Sequence, residues 1–276
     1  MHIRTQGFLE KEMRKIPGWF SRQDFSLFVL ILKYQSKRNI LGSMLEIGAY
    51  LGKSASVIGA LKMPDEDFYV CDLFSGPTEF SNSLENSSSY SGLTRVIFEN
   101  NYLTINGNLP TILECNSTEL SKLLPEVQFR FIHVDGSHLY NYVKKDLDFA
   151  INHLLPKGGL IVIDDFRAQH TLGVAKSVWE SIILGQLRPI IVSAAKIYLV
   201  KPNDDEIQID DLAKLLEVSN FKFEIVDLFD SPCFRILGTP DGKIYLNESF
   251  ISGFIPPILL PAVSRFRNQS KYFFRK

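Results

Sequence analysis

"LEIGAYLGKSASVIGAL", running from Leu45 to Leu61, joins an apolar run to a carboxylate, a glycine, a second glycine and a helix-like segment. A short buried strand, a glycine turn and an amphipathic helix make the first unit of a parallel α/β sheet. The turn also constrains the ligand. A pyrophosphate-binding turn needs G-x-G-x-x-G so that the anion reaches the helix N-terminus. Here the pattern is E-x-G-x-x-x-G, Glu46 to Gly52, with Ala49 and Tyr50 where further small residues would be wanted. A carboxylate at the strand end repels phosphate and suits a cationic group such as an ammonium.

On either side of this unit the chain alternates. Phe25, Phe28, Val29 and Leu32 recur at i, i+3, i+4 and i+7, which predicts a helix from about Ser21 to Lys37 with Ser21 as its N-cap. After SMLEI and KSASVIGALK come strands in DFYVCDLF, TILEC and FRFIHVD. The helix LYNYVKKDLDFAINHLL follows, with Val143, Leu147, Ile151 and Leu154 on one face. LPKGG ends it, and LIVIDDF is a continuous apolar strand of the kind buried on both faces. GVAKSVWESIILG reads as a helix. PIIVSAAKIYLVK and FKFEIVDLF close the set as two late strands with a short acidic helix between them. The expectation is a doubly wound, mostly parallel seven-stranded sheet with helices on both faces. It occupies residues 43–238, with a helical extension at 1–42 and a C-terminal extension at 239–276. The serine-rich stretch from Ser75 to Arg95 breaks the rhythm where a strand ends. It reads as a mobile cover over the site or as plain surface.

Composition narrows the function classes. The net charge is −1, from 30 basic and 31 acidic residues, so no global field recruits nucleic acid or a membrane surface. Cys71, Cys115 and Cys233 have no CxxC spacing and read as reduced thiols. The N-terminal residues lack an apolar signal core, and the apolar run from Phe250 is too short and proline-rich to span a bilayer. The expectations are a cytoplasmic protein, no membrane span, no nucleic-acid partner and a small-molecule ligand. The N-terminal helix and the apolar tail also allow a homodimer. The tail from Ser264 is basic without acids, which fits a solvated or frayed terminus or a phosphate or membrane-surface role.

In an open α/β sheet the ligand lies outside the carboxyl ends of the strands. Polar groups follow every one of the first five strands. They are Glu46, Gly48 and Gly52; Cys71 and Asp72; Asn116 and Ser117; Asp135, Ser137 and His138; and Asp164 and Asp165. Asp72 is placed to accept hydrogen bonds from two ribose hydroxyls. A ligand with a ribose, an ammonium and no phosphate fits S-adenosylmethionine better than NAD or ATP.

The E-x-G-x-x-x-G turn, Asp72, "DGSHLYNYVKKDLDF" and "LLPKGGLIVIDDF", in that order, resemble the Rossmann-like S-adenosylmethionine-dependent methyltransferases. Within these the chain is most similar to the macrocin and cephalosporin-biosynthesis O-methyltransferase group, over roughly residues 43–179. The resemblance implies cofactor contacts from Glu46, Gly48, Gly52, Asp72 and Ser117. Tyr50, Ser54, Leu73, Asn116, Asp135 and Ser137 join this candidate cofactor set. It also implies Mg²⁺ on Asp135, Asp164 and Asp165, and three carboxylates at adjacent strand ends are hard oxygen ligands that suit Mg²⁺ or Ca²⁺. The alternative for Asp164 and Asp165 is a helix cap and a solvent-facing acid.

With Asp135, His138 is a catalytic candidate, as the general base or as a cofactor-orienting group. His133, inside an apolar strand, reads as structural. Group members carry an acid two residues after the first aspartate, and here that position is Ser137. The expected reaction is O-methylation of a sugar, glycoside or other small natural product. The other readings are an NAD-type oxidoreductase, opposed by Glu46 and the missing third glycine, and a catalytically silent methyltransferase-like interaction module.

Overall fold

The computed structural model describes residues 5–74 and 94–240. The stretch read as a cover over the site and the apolar, basic tail lie outside the described residues, apart from Thr94 and Arg95, which begin a helix.

The expected α/β alternation is present. In chain order the elements are helix α1 (Gln6–Met13), α2 (Arg22–Lys37), strand β1 (Ser43–Ile47), α3 (Lys53–Ala60), β2 (Phe68–Cys71), α4 (Arg95–Ile105) and β3 (Thr111–Leu113). After a short turn of helix come β4 (Phe129–Val134), α5 (Tyr140–His153), β5 (Leu160–Ile163), α6 (Leu172–Ile183), β6 (Arg188–Val192) and β7 (Ile197–Val200). The described chain closes with α7 (Ile209–Val218), β8 (Phe223–Asp227) and β9 (Pro232–Ile236). The strand order is β3-β2-β1-β4-β5-β7-β6-β9-β8, with β1 to β5 all parallel. The order reverses between β1 and β4, which opens a crevice beyond their carboxyl ends.

The sheet therefore has nine strands, not seven, among the described residues. PIIVSAAKIYLVK is two antiparallel strands rather than one. Ser193 and Lys196 close the turn between them, Ser193 N–H donating to the Lys196 carbonyl at 2.8 Å. The ninth strand is PCFRI, which pairs antiparallel with β8 and parallel with β6. Pro232 sits at its first residue, where a missing N–H is tolerated. Helix α4 was also not expected. Thr94 caps it, and Phe98, Tyr102 and Ile105 bury one face at i, i+4 and i+7.

Helix α2 buries most of its residues. Ser21 caps it in a reciprocal capping box with Asp24, as the serine suggested. Phe25, Phe28, Val29 and Leu32 are all buried, and the Phe28 ring meets Phe131, His133 and Tyr198 edge-on over the sheet. The opposite face is covered by α5 and α6, where Val143, Leu147, Ile151 and Val178 are buried. A buried ion pair fixes α2 at the amino end of the sheet, far from the crevice. Arg130 Nε and Nη2 donate to Glu66 at 2.5 and 2.7 Å, and Arg130 Nη1 donates to Gln35 of α2 at 2.8 Å. No helix among the described residues is long and apolar enough to cross a membrane.

Candidate active site

The β1–α3 turn is shaped by three left-handed residues, Gly48 (φ 83°), Tyr50 (φ 49°) and Gly52 (φ 85°). Gly48 admits no side chain, because a Cβ would collide with the Asp135 carbonyl at the end of β4. Two neighbouring strand ends thus touch through their backbones at the switch point. Asp72 holds the same turn from β2. Its Oδ2 accepts from the Ala49 and Tyr50 amides at 2.7 and 3.0 Å, and its Oδ1 accepts from Phe74 at 2.9 Å. Leu73 lies beside it, half-buried.

Glu46 is not exposed at the strand end. It is fully buried on the α2 side of β1, with Oε1 2.7 Å from His133 Nδ1. On the other edge of that ring, His133 Nε2 lies 3.2 Å from Lys196 Nζ. An ammonium only donates, so Nε2 accepts and Nδ1–H donates to Glu46 Oε1. Burial pushes the Glu46 carboxyl up to about 8, against the pull of the Ser54 hydroxyl and the Lys196 charge. The other oxygen, Oε2, is buried without a hydrogen-bond partner among the described residues. Below that pH the proton therefore sits on Oε2.

The three acids expected to share a metal are not one set. Asp164 turns inward and pairs with the buried Lys196. Asp165 has a left-handed backbone (φ 54°), which points its side chain the other way, onto His138. His138 Nε2 lies 3.0 Å from Asp165 Oδ2, and both side chains are part-exposed, at 24% and 31%. Burial works against ionisation of Asp165, but the hydrogen bond and charge of His138, with Lys196, outweigh it and hold the carboxyl below its ordinary value. The groups whose donor atoms do converge, within 4.8 Å, are His133, Asp135 and Asp164. Burial and the neighbouring Asp164 push Asp135 well above the usual carboxylate range.

The remaining candidates lie around the rim. Asn116 Oδ1 accepts from the Thr118 amide at 3.0 Å, capping a short helical turn. Ser117 hydrogen-bonds Asp146, and the exposed Ser137 Oγ accepts from Leu139 N–H at 3.2 Å. Cys71 and Cys115, distant in sequence, place their sulfurs 3.9 Å apart as free thiols. His153 bonds the Val127 carbonyl at 2.9 Å, away from the crevice.

Lys196 and Asp146 are the residues that sequence reasoning missed. The only signal for Lys196 was a lysine opening the apolar run IYLV, and for Asp146 an acid on the buried face of α5.

Residues 45–166 match the family model described as a methyltransferase domain. No curated protein matches the chain by sequence. Among solved structures, the O-methyltransferase NovP is similar with a TM-score of 0.55, at 13% identity over 65% of this chain and 79% of that one. CalS11, a calicheamicin methyltransferase, gives a TM-score of 0.49 at 14% identity, covering 71% and 90% of the two chains. The SAH-bound methyltransferase PaMTH1 of Podospora anserina gives 0.47 at 16% identity, covering 70% and 85%. The likeness to NovP shows a shared fold.

Proposed function

We propose that this chain, whose residues 45–166 match the methyltransferase-domain model, is a Rossmann-like methyltransferase that uses S-adenosylmethionine to methylate a hydroxyl oxygen of a small acceptor. The observation that carries the oxygen acceptor is the His138–Asp165 pair at the crevice mouth, 3.0 Å apart. A hydroxyl must lose its proton as the methyl arrives, so it needs a base held in one orientation. The contact with Asp165 Oδ2 holds the His138 imidazole in one orientation. The surroundings are polar, with the exposed His170 ring 6.0 Å from His138 and Ser137 exposed next to it in the chain. They suit a sugar, glycoside or other hydroxyl-bearing natural product, the acceptor class implied by the macrocin-group resemblance.

When bound, the cofactor supplies an electrophilic methyl group on a sulfonium. The chain's residues fit it at two points. Glu46 Oε2, buried and unpartnered, is an acceptor for the ammonium, which would displace the proton held there. Gly48 and Gly52 let the turn take its left-handed course against the Asp135 backbone and the Phe98 ring, and Asp72 fixes that turn while retaining lone pairs for a ribose hydroxyl. Tyr50, Ser54, Leu73, Asn116, Ser117, Asp135 and Ser137 complete the proposed binding shell around the five strand ends. A magnesium ion on Asp135, Asp164 and Asp165 does not fit this arrangement, since Lys196 pairs with the second of these acids and His138 with the third.

The test is calorimetric titration of the protein with S-adenosylhomocysteine. Micromolar binding that is lost in Asp72→Ala supports the proposal, and no heat from the wild type removes it. Radiolabelled methyl transfer to a panel of sugars, glycosides and phenols then reads the acceptor.

A further inference from the structure

Lys196 is wholly buried, an expensive position for an ammonium unless it is paired. Its Nζ pairs with Asp164 Oδ2 and lies 3.2 Å from His133 Nε2. Asp135, Asp164 and His133 place their donor atoms within 4.8 Å of one another, and the charges of Asp135 and Asp24 also act on the ammonium. Burial alone would push Lys196 down; Asp164, Asp135 and Asp24 overcome it and hold the lysine above its ordinary value. The position is built rather than incidental. The lysine backbone is locked in the β6–β7 turn, its N–H donating to Ser193 Oγ at 3.0 Å. The Phe20 ring lies 5.8 Å from the ammonium, and Ser193 Oγ reaches Asp24 of α2 at 3.5 Å.

The geometry points to Lys196 as the resident cation of the strand-end acid cluster, a positioning residue whose ammonium stands where a divalent ion would bridge Asp135 and Asp164, so that the chain binds no metal there. Mg²⁺ demands near-octahedral oxygen ligands and keeps several waters. Here one side of the cluster is an imidazole nitrogen facing the ammonium, and the third acid, Asp165, is engaged with His138. The charge that a metal would supply to Asp135 and Asp164 is already present in covalent form. Proton removal then falls to the His138–Asp165 pair rather than to a metal-polarised hydroxyl.

Metal binding is read without cofactor or acceptor, so the inference stands or falls separately from methyl transfer. Wild type and Asp164→Asn are titrated with MnCl₂ and free Mn²⁺ is followed by paramagnetic resonance. The expected result is the same number of bound ions in both; a site present in the wild type and lost in Asp164→Asn overturns the proposal. The second arm uses Lys196→Met, which keeps the stem and deletes the charge. Mg²⁺ should raise its melting temperature on the order of 5 °C, or restore folding where the variant is unfolded without it, and leave the wild type unmoved. A folded Lys196→Met as indifferent to Mg²⁺ as the wild type also overturns the proposal. If that variant stays unfolded with and without Mg²⁺, the Mn²⁺ arm alone decides.

Discussion

Glu46 Oε1 accepts from His133 Nδ1 at 2.7 Å, one strand over, and Oε2 is buried without a hydrogen-bond partner among the described residues. The Glu46 carboxyl titrates near 8, so at pH 7 it is mostly protonated. An arriving ammonium stabilises the ionised form and expels that proton. Calorimetry of S-adenosylhomocysteine binding at pH 7, in buffers of different ionisation heat, should show release of about one proton. Affinity should rise about fivefold from pH 7 to 8 and about twofold more by pH 9, where it levels. Glu46→Gln should bind about 10- to 100-fold more weakly and release no proton from this site.

His138→Ala should lower kcat by about 10²- to 10⁴-fold and leave S-adenosylhomocysteine affinity unchanged. Asp165→Asn keeps the shape but no longer selects the imidazole tautomer, so its loss should also appear in kcat. Steady-state kinetics with an accepted hydroxyl substrate, set beside the calorimetric affinity, separate these effects from misfolding.

The Arg130–Glu66 pair is fully enclosed. Removing one partner strands a buried charge, which costs about 3–5 kcal/mol. Glu66→Ala should lose that much by urea denaturation, whereas the double variant Glu66→Leu, Arg130→Met should recover most of it.

Asp146 is buried, and burial raises its carboxyl to about 6 despite the Ser117 hydrogen bond. The folded chain therefore holds this proton at a pH where the unfolded chain, near 3.8, has lost it. Stability from this group is complete below about pH 4, falls as pH rises to 6, and is flat above that. Asp146→Asn should remove this slope and stabilise the protein at pH 7 by about 1–3 kcal/mol. Urea midpoints measured from pH 4 to 8 for both proteins read the difference.

The parts of the fold legible in the sequence were those set by local chemistry. The Ser21 cap, the spacing of Phe25, Phe28, Val29 and Leu32, and the apolar stretch before the Gly48 turn each carry their geometry within a few residues. The β6–β7 hairpin was not legible, because Ser193–Lys196 lacks the glycine or asparagine that marks tight turns and PIIVSAAKIYLVK reads as one apolar run. Helix α4 was hidden by the serine-rich segment before it, although Phe98, Tyr102 and Ile105 carry its period. At the site, adjacency misled. Asp164 and Asp165 are neighbours in sequence, but one left-handed residue sends them to different partners. The partner of Asp164 is a lysine more than thirty positions on, which spacing within one motif does not reveal.

The β6–β7 turn carries Lys196 beyond the end of the matched segment 45–166. A protein trimmed to that segment would keep Asp135 and Asp164 and discard the ammonium that pairs with Asp164. The matched segment and the set of residues that complete the acid cluster thus have different lengths. Any transplant of its catalytic face into another scaffold has to bring the hairpin along with the signature.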